Sequence, residues 1–144
     1  MIVQQILKSK GTEGVITVAP GTSVEAAAAV LSEKRIGSVV ISEDGLHFEG
    51  ILSERDIVRE LGKRGASCMA DTVDDMMTKM IETCGLGDEA ESVLGRMTEG
   101  RFRHMPVVAD GTMIGIITLG DVVKARLTEL AMEKDALEGM IMGY

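Results

Sequence analysis

Two short strings carry most of the chemistry this sequence offers. One is Gly50-Ile-Leu-Ser53-Glu-Arg55-Asp56 and the other is Gly115-Ile-Ile-Thr118-Leu-Gly120-Asp121. Each closes an apolar, strand-like run and opens a helical pattern. The first turn of a helix presents unpaired N–H groups and a partial positive charge, which suits a phosphate. A hydroxyl at the N-cap adds a donor. A carboxylate three residues later lies on the same side of the turn and accepts hydrogen bonds from a diol such as that of ribose. Hydroxyl and carboxylate at this spacing therefore read as a holder for the two ends of a ribose phosphate. The same spacing is also that of a capping box, in which the pair only closes the helix start. Both readings stand for one string alone, and the recurrence of the pattern favours the first.

A second constellation is Arg101-Phe102-Arg103-His104-Met105-Pro106. Two arginines and a histidine precede a strand in an acidic chain. The planar guanidinium fork suits a phosphate, and Met105 with Pro106 offers an apolar surface to a purine. A solvated basic patch is the competing reading. The corresponding stretch earlier in the chain, Arg35-Ile36-Gly37-Ser38-Val39-Val40, is less basic, so two sites built on these stretches should differ in affinity or ligand. Cys84-Gly85-Leu86-Gly87-Asp88-Glu89-Ala90 spells Gly-x-Gly-x-x-Ala, but Asp88, Glu89 and Glu91 would crowd a pyrophosphate, and the string reads as a tight turn. Walker A, HExxH and GxSxG strings are absent, and no nucleophile–base arrangement stands out.

The elements that must position these residues come from a repeat. Thr17 to Thr83, Glu25 to Glu91, Leu31 to Met97, Arg35 to Arg101 and Gly45 to Gly111 are steps of 66, and Gly50 to Gly115, Ser53 to Thr118 and Asp56 to Asp121 are steps of 65. Each copy reads β-α-β-β-α. The first strands are Val15–Val18 and Met80–Thr83. Helices follow with stripes Val24, Ala27, Ala28, Leu31 and Ala90, Val93, Leu94, Met97, capped by Thr22 or Ser23 and by Asp88. Hairpins at Asp44-Gly45 and Asp110-Gly111 join strands 38–42 with 47–52 and 105–109 with 113–117. The second helices open at Ser53 and Thr118.

A short apolar pattern precedes each copy, Val3/Ile6/Leu7 and Val73/Met76/Met77, and each should pack as a helical turn on its lobe. The expected divisions are lobe one at 1–62, a small, Gly-containing linker at 63–72, lobe two at 73–127 and a helical extension at 128–144. In that last helix Val123, Leu127, Leu130, Leu137 and Ile141 form a heptad-like seam with Lys134 at the skipped place. The seam either docks on its own domain or meets another subunit.

The chain has 144 residues, 45% hydrophobic and 26% charged, the balance of a soluble globular protein. A net charge of −8 argues against nucleic acid or an anionic membrane surface as partner. With 2% aromatics and no Trp, base stacking on an aromatic platform is not available. The 11 Met residues fill the core instead. Cys68 and Cys84 form neither a metal spacing nor a disulfide framework, which suits a reduced, cytoplasmic setting. The opening MIVQQILKSK has no signal-peptide pattern, and no apolar run is long enough to span a bilayer.

The segments VITVAPGTSVEAAAAVLSEKRIGSVV, GILSERDIV, MTKMIETC, GRFRHMPVV and GIITLGDVV together resemble a tandem pair of cystathionine-β-synthase (CBS) domains, the Bateman module, over about residues 1–127. The resemblance implies an α/β (α+β) fold of two lobes related by a pseudo-twofold axis, with small three-stranded sheets packed with helices. It implies an adenosine nucleotide (AMP, ATP or NAD(H)) in clefts between the lobes and no catalytic cofactor.

It also implies a distribution of roles. Ser53, Arg55 and Asp56 would work with Thr78, Ile81, Glu82, Thr83, Arg103, His104, Met105 and Pro106. Thr118, Gly120 and Asp121 would work with Val15, Ile16, Thr17, Gly37, Ser38 and Val39. Hydroxyl and carboxylate would hold phosphate and ribose, while strand-edge backbone reads adenine. Glu82, where an apolar residue is usual, and Gly37-Ser38, where copy two has His-x-Pro, set the two clefts apart. A homodimer through the helices after Ser53 and Thr118, with the last helix adding to it, is the expected assembly.

The leading function on these grounds is a non-enzymatic sensor whose state passes to a partner protein. The alternatives are a structural oligomerisation module with vestigial clefts and, last, a nucleotide hydrolase.

Overall fold

The computed structural model describes residues 1–11 and 14–143. In chain order the elements are α1 (Val3–Ser9), β1 (Thr17–Val18), α2 (Val24–Lys34), β2 (Ser38–Ile41), β3 (Gly50–Ser53), α3 (Glu54–Arg64), α4 (Val73–Met76), α5 (Ala90–Gly100), β4 (His104–Ala109), β5 (Thr112–Thr118) and α6 (Leu119–Met142). The fold is mixed α/β, with small sheets packed against helices.

Ser23 caps α2 by accepting the Ala26 amide at 3.1 Å, which settles the choice left open between Thr22 and Ser23. Both α2 and α5 stop at an arginine in the left-handed region, Arg35 at φ 54° and Arg101 at φ 56°. The amides of Ile36 and Phe102 then turn back onto the carbonyls of Leu31 and Met97. In both copies the chain thus leaves the helix directly towards a strand.

The first copy carries a three-stranded sheet in the order β1-β2-β3, with β1 parallel to β2 and β2 antiparallel to β3. The second carries only two paired strands, β4 and β5. The strand expected at 80–83 does not form, and Cys84 alone makes a parallel bridge to Val107. Glu82 in this stretch is exposed rather than seated in a strand. The Asp110-Gly111 turn has positive φ at both residues, 52° and 79°, the geometry a two-residue hairpin requires. The Asp44-Gly45 turn is wider. Asp44 Oδ1 accepts the amides of Leu46 and His47, and its other oxygen meets the His47 ring at 2.7 Å. This closed loop keeps His47 out of the strand and starts β3 at Gly50.

The chain divides into two compact units that follow packing rather than repeat boundaries. One gathers Gly14–Glu82 with Asp110–Ile114, and the other gathers Met1–Glu13, Thr83–Ala109 and Gly115–Tyr144. The pre-repeat segments explain the difference. Val3 and Ile6 are buried with Ala90, Val93, Met97, Met105, Val107 and Ile117, all from the second copy. Val73 and Met76 are buried with Val24, Leu31, Val39, Ile41 and Leu52, from the first. Backbone hydrogen bonds fasten both exchanges: Val3 N to Asp88 O and Ala90 N to Met1 O, at 2.8 and 2.9 Å, and Val73 N to Thr22 O and Val24 N to Asp71 O, both at 2.8 Å. Each bond satisfies an amide in the first turn of a helix, a group with no partner inside its own helix. The stretch 63–72, read as the linker, contains a 3₁₀ turn at Gly65–Ala70 that buries Cys68 in the first-copy core.

Two glycines make these dockings possible. A Cβ on Gly50 would strike the Met77 side chain and come within 3.0 Å of Thr78 O, and a Cβ on Gly115 would come within 2.9 Å of Leu7 Cδ2. Leu7 is a flexible side chain, so Gly115 gives the cleaner experiment. Gly115→Ala should lower stability by about 1–3 kcal/mol through overpacking. Adding Leu7→Ala should return part of that loss instead of adding to it, as read from urea midpoints. A fully additive double variant would show that the contact is not the cause.

Candidate functional site

Both Ser/Thr-x-x-Asp pairs are formed as complete capping boxes. Ser53 Oγ accepts the Asp56 amide at 3.2 Å, and Asp56 Oδ2 accepts the Ser53 amide at 2.9 Å. Thr118 Oγ1 accepts the Asp121 amide at 3.1 Å, and Asp121 Oδ2 accepts the Thr118 amide at 2.9 Å. The Ser53 hydroxyl also donates to Asp56 Oδ2 at 3.0 Å. Capping is therefore present in both copies. It uses one oxygen of each carboxylate and leaves acceptor capacity on the other.

The helix starts have one further feature in common. The Glu54 amide is given to Gly37 O at 2.9 Å, and the Leu119 amide to Arg103 O at 2.8 Å. With those two amides and the Asp amides engaged, the amides of Arg55 and Gly120 are what each first turn has left to offer an anion. Gly37 and Arg103, picked from the sequence as ligand contacts, thus act through their carbonyls to set where α3 and α6 begin.

The two corners differ in their counter-charges. Asp56 is 7% exposed, and its Oδ1 takes Arg59 from the same helix at 3.1 Å. Asp121 is half-buried, and its Oδ2 meets Lys10 Nζ at 2.8 Å. Burial pushes the Asp121 carboxyl up, but hydrogen bonds from Lys10 and Thr118 together with the Lys10 charge outweigh it and leave the group below the ordinary aspartate value. Neither Arg59 nor Lys10 stood out in the sequence. Arg59 is a plain i,i+3 partner of Asp56 and was legible in principle. Lys10 lies in a segment whose docking was not.

The first unit holds Ser53, Arg55, Asp56, Thr78, Ile81, Glu82, Val15, Ile16, Thr17, Gly37, Ser38 and Val39. Within it Ser38 lies opposite Ser53 in the β2–β3 register, and Thr78 exchanges backbone hydrogen bonds with Ile51 at 2.9 and 3.0 Å. The Ile16 carbonyl accepts the Val40 amide at 3.1 Å. The other unit holds Thr83, Arg103, His104, Met105, Pro106, Thr118, Gly120 and Asp121. There the Thr83 carbonyl is taken by Arg96 at 2.7 Å, a partner absent from the sequence reading. Met105 is buried in β4 with its side chain in the core, Pro106 beside it is buried with its carbonyl accepting the Cys84 amide at 3.0 Å, and Arg103 is exposed. Asp88, expected to cap α5, instead accepts the Gly85 amide at 2.9 Å and closes the glycine turn, and Glu89 takes the N-cap position. Among the described residues no group of His, Cys, Asp and Glu is arranged to hold a metal ion, and no helix is long and apolar enough to cross a membrane.

A repeated helix, strand pair and second helix, with a hydroxyl–carboxylate corner at the start of each second helix, defines the class. The CBS domain model matches residues 6–63 and 73–128, and the chain belongs to that family. It is similar to the mitochondrial CBS domain-containing protein CBSX3 of Arabidopsis thaliana, 29% identical over 98% of this chain and 72% of the relative. Among solved structures, a CBS-domain containing protein of Agrobacterium tumefaciens is 39% identical, with a TM-score of 0.83 over 88% of this chain and 99% of that one. The structure of CBSX2 in complex with AMP is 30% identical, with a TM-score of 0.70 over 88% of this chain and 96% of that one.

The caps and the Asp121 charge lead to a stability experiment. Ser53→Ala should cost about 1 kcal/mol through loss of the cap. Asp121 has a folded-state pKa below its unfolded one. Its contribution is therefore complete above the unfolded value of about 4 and drains away as pH falls through the lower folded value. Asp121→Asn should melt lower than wild type at neutral pH, and the gap should narrow towards about pH 2. A gap independent of pH would show that the carboxylate charge adds nothing.

Proposed function

We propose that this protein is a non-enzymatic sensor that binds an adenosine nucleotide, with AMP the first candidate, and passes its bound state to a partner protein. The observation that carries this reading is the pair of helix starts. Each combines a hydroxyl, a carboxylate with a spare acceptor and one amide left over, at Arg55 and at Gly120. The AMP complex of CBSX2, 30% identical to this chain, supports the choice of ligand. In this reading Asp56 and Asp121 hold ribose hydroxyls, and the Arg55 and Gly120 amides receive phosphate. Backbone at Val15, Ile16, Thr17, Gly37, Ser38 and Val39, and at Thr78, Ile81, Glu82 and Thr83, reads the base. Arg103 and His104 neutralise phosphate. Met105 serves only through its backbone, because its side chain is core, and Pro106 beside it offers the apolar surface to the base. The two free, buried cysteines suit a reducing compartment such as the cytoplasm.

A homodimer is part of the proposal. The heptad-like seam of α6 is uncovered within the chain, with Leu127 63% and Ile141 83% exposed. The same helix turns Val122 and Ala125 into the core. On α3, Val58 and Leu61 are also exposed. This surface equally suits the reading in which the repeat serves assembly alone and the corners are caps. Ligand binding separates the two.

Calorimetry with AMP, ADP, ATP and NAD(H) tests the sensor directly. Binding of at least one is expected, and Asp56→Ala should weaken one site about tenfold, or 1.4 kcal/mol. At a ligand concentration of about 100 times Kd the melting free energy should rise by about 2.7 kcal/mol. No heat and no thermal shift with any of these ligands at millimolar concentration would leave the assembly reading in place of the sensor.

A further inference from the structure

Lys10 makes the two corners chemically different. Its ammonium lies 2.8 Å from Asp121 Oδ2 and donates to Ile116 O at 2.8 Å. Its side chain is 33% exposed, so it lies along the protein rather than in open solvent. The pre-repeat segments correspond by a step of 70 (Val3 to Val73, Ile6 to Met76, Leu7 to Met77), which sets Met80 at the place of Lys10. Met80 is 95% exposed and carries no charge. Among the described residues the first corner therefore pairs with no cation from outside its helix. Asp56 is paired with Arg59, which rides on α3 itself and is half exposed.

Asp121 Oδ2 already accepts the Thr118 amide at 2.9 Å. With Lys10 on it as well, that oxygen is fully engaged. Oδ1 stays open to one ribose hydroxyl, but a diol that spans both oxygens meets the ammonium on Oδ2. An uncharged ligand that takes both oxygens would have to break the ion pair and return nothing to Lys10. A ligand with a phosphate exchanges one anion for another. The flexible four-carbon stem of lysine lets its charge follow the phosphate to the helix start.

We infer that Lys10 is a specificity residue. It holds the Asp121 carboxylate while the corner is empty and is displaced when a ribose takes that carboxylate. It then neutralises the ligand's phosphate, so this corner takes nucleotides in preference to nucleosides. This rests on the adenosine-binding reading above, and the experiment keeps the two apart.

The first corner is weakened with Asp56→Ala, and calorimetry is run with AMP and with adenosine on that protein and on the same protein carrying Lys10→Met. The expected result has two parts. Adenosine binds about threefold or more tightly once the competing ion pair is gone, as its modest strength implies, and AMP binds more weakly, so the AMP-to-adenosine affinity ratio collapses. Lys10→Arg should preserve the ratio, because it restores the charge. A residue that only fastens α1 to its unit would lower both affinities together. If Lys10→Met does not fold, Lys10→Gln provides the same comparison. An unchanged ratio with AMP still bound overturns the inference and leaves the sensor standing. Absence of binding by AMP and adenosine in wild type overturns the inference, and the sensor falls with it only if ADP, ATP and NAD(H) also fail to bind.

Discussion

Each repeat completes its first helix against a chain segment that precedes the other repeat. The amides of Val24 and Ala90 stand at helix starts with no partner of their own, and the carbonyls of Asp71 and Met1 supply one. The amides of Val73 and Val3 do the same in reverse, on Thr22 and Asp88. Antiparallel bridges Ser23–Thr72 and Ile2–Glu89 lie at the centre of these exchanges. A buried backbone amide without an acceptor is costly. The apolar side chains Val3, Ile6, Val73 and Met76 fill the hollow beneath each bridge. The positions of Lys10 and Thr78 follow from this docking.

The motif that defines the family consequently divides into two kinds of residue. Gly50 and Gly115 are there for close approach, because Met77 and Leu7 occupy the space a side chain would need. Ser53, Asp56, Thr118 and Asp121 are there to start a helix, and every one of them is used in a cap. Caps and ligand corners need not compete. A carboxylate has more acceptor positions than a capping box consumes, and a rigid cap holds the remaining oxygen in a defined direction. A protein of net charge −8 needs local cations wherever an anion is to bind, and the two corners obtain theirs differently: Arg59 from within the helix and Lys10 from a docked segment.

Helix α6 serves two purposes along its length. Its first turns cap the second corner and bury Val122 and Ala125. Its later turns carry exposed apolar side chains at Leu127, Leu130, Leu137 and Ile141. On this helix of 24 residues that stripe is the surface on which the proposed homodimer rests.

Much of this was legible in residue order. The repeat, most element types, the Asp110-Gly111 turn and both caps depend on contacts within a few residues, and such contacts are written into local sequence. The misreadings share one cause. The stretch 80–83 has β-like composition, yet the only pairing beside it is the Cys84 bridge to Val107 among the described residues. Asp88 could cap α5, yet the nearer Gly85 amide takes it. Met105 and Pro106 look like a purine shelf, yet β4 turns the Met105 side chain into the core. The segments before each copy carry the right apolar spacing, but periodicity says only that a face is buried, not against what. Sequence alone therefore determined a duplicated CBS unit with a hydroxyl–carboxylate cap in each copy. Only the tertiary structure decided which repeat each flanking segment completes and that Lys10 sits on Asp121. Those contacts join residues far apart in the chain, and no local pattern encodes them.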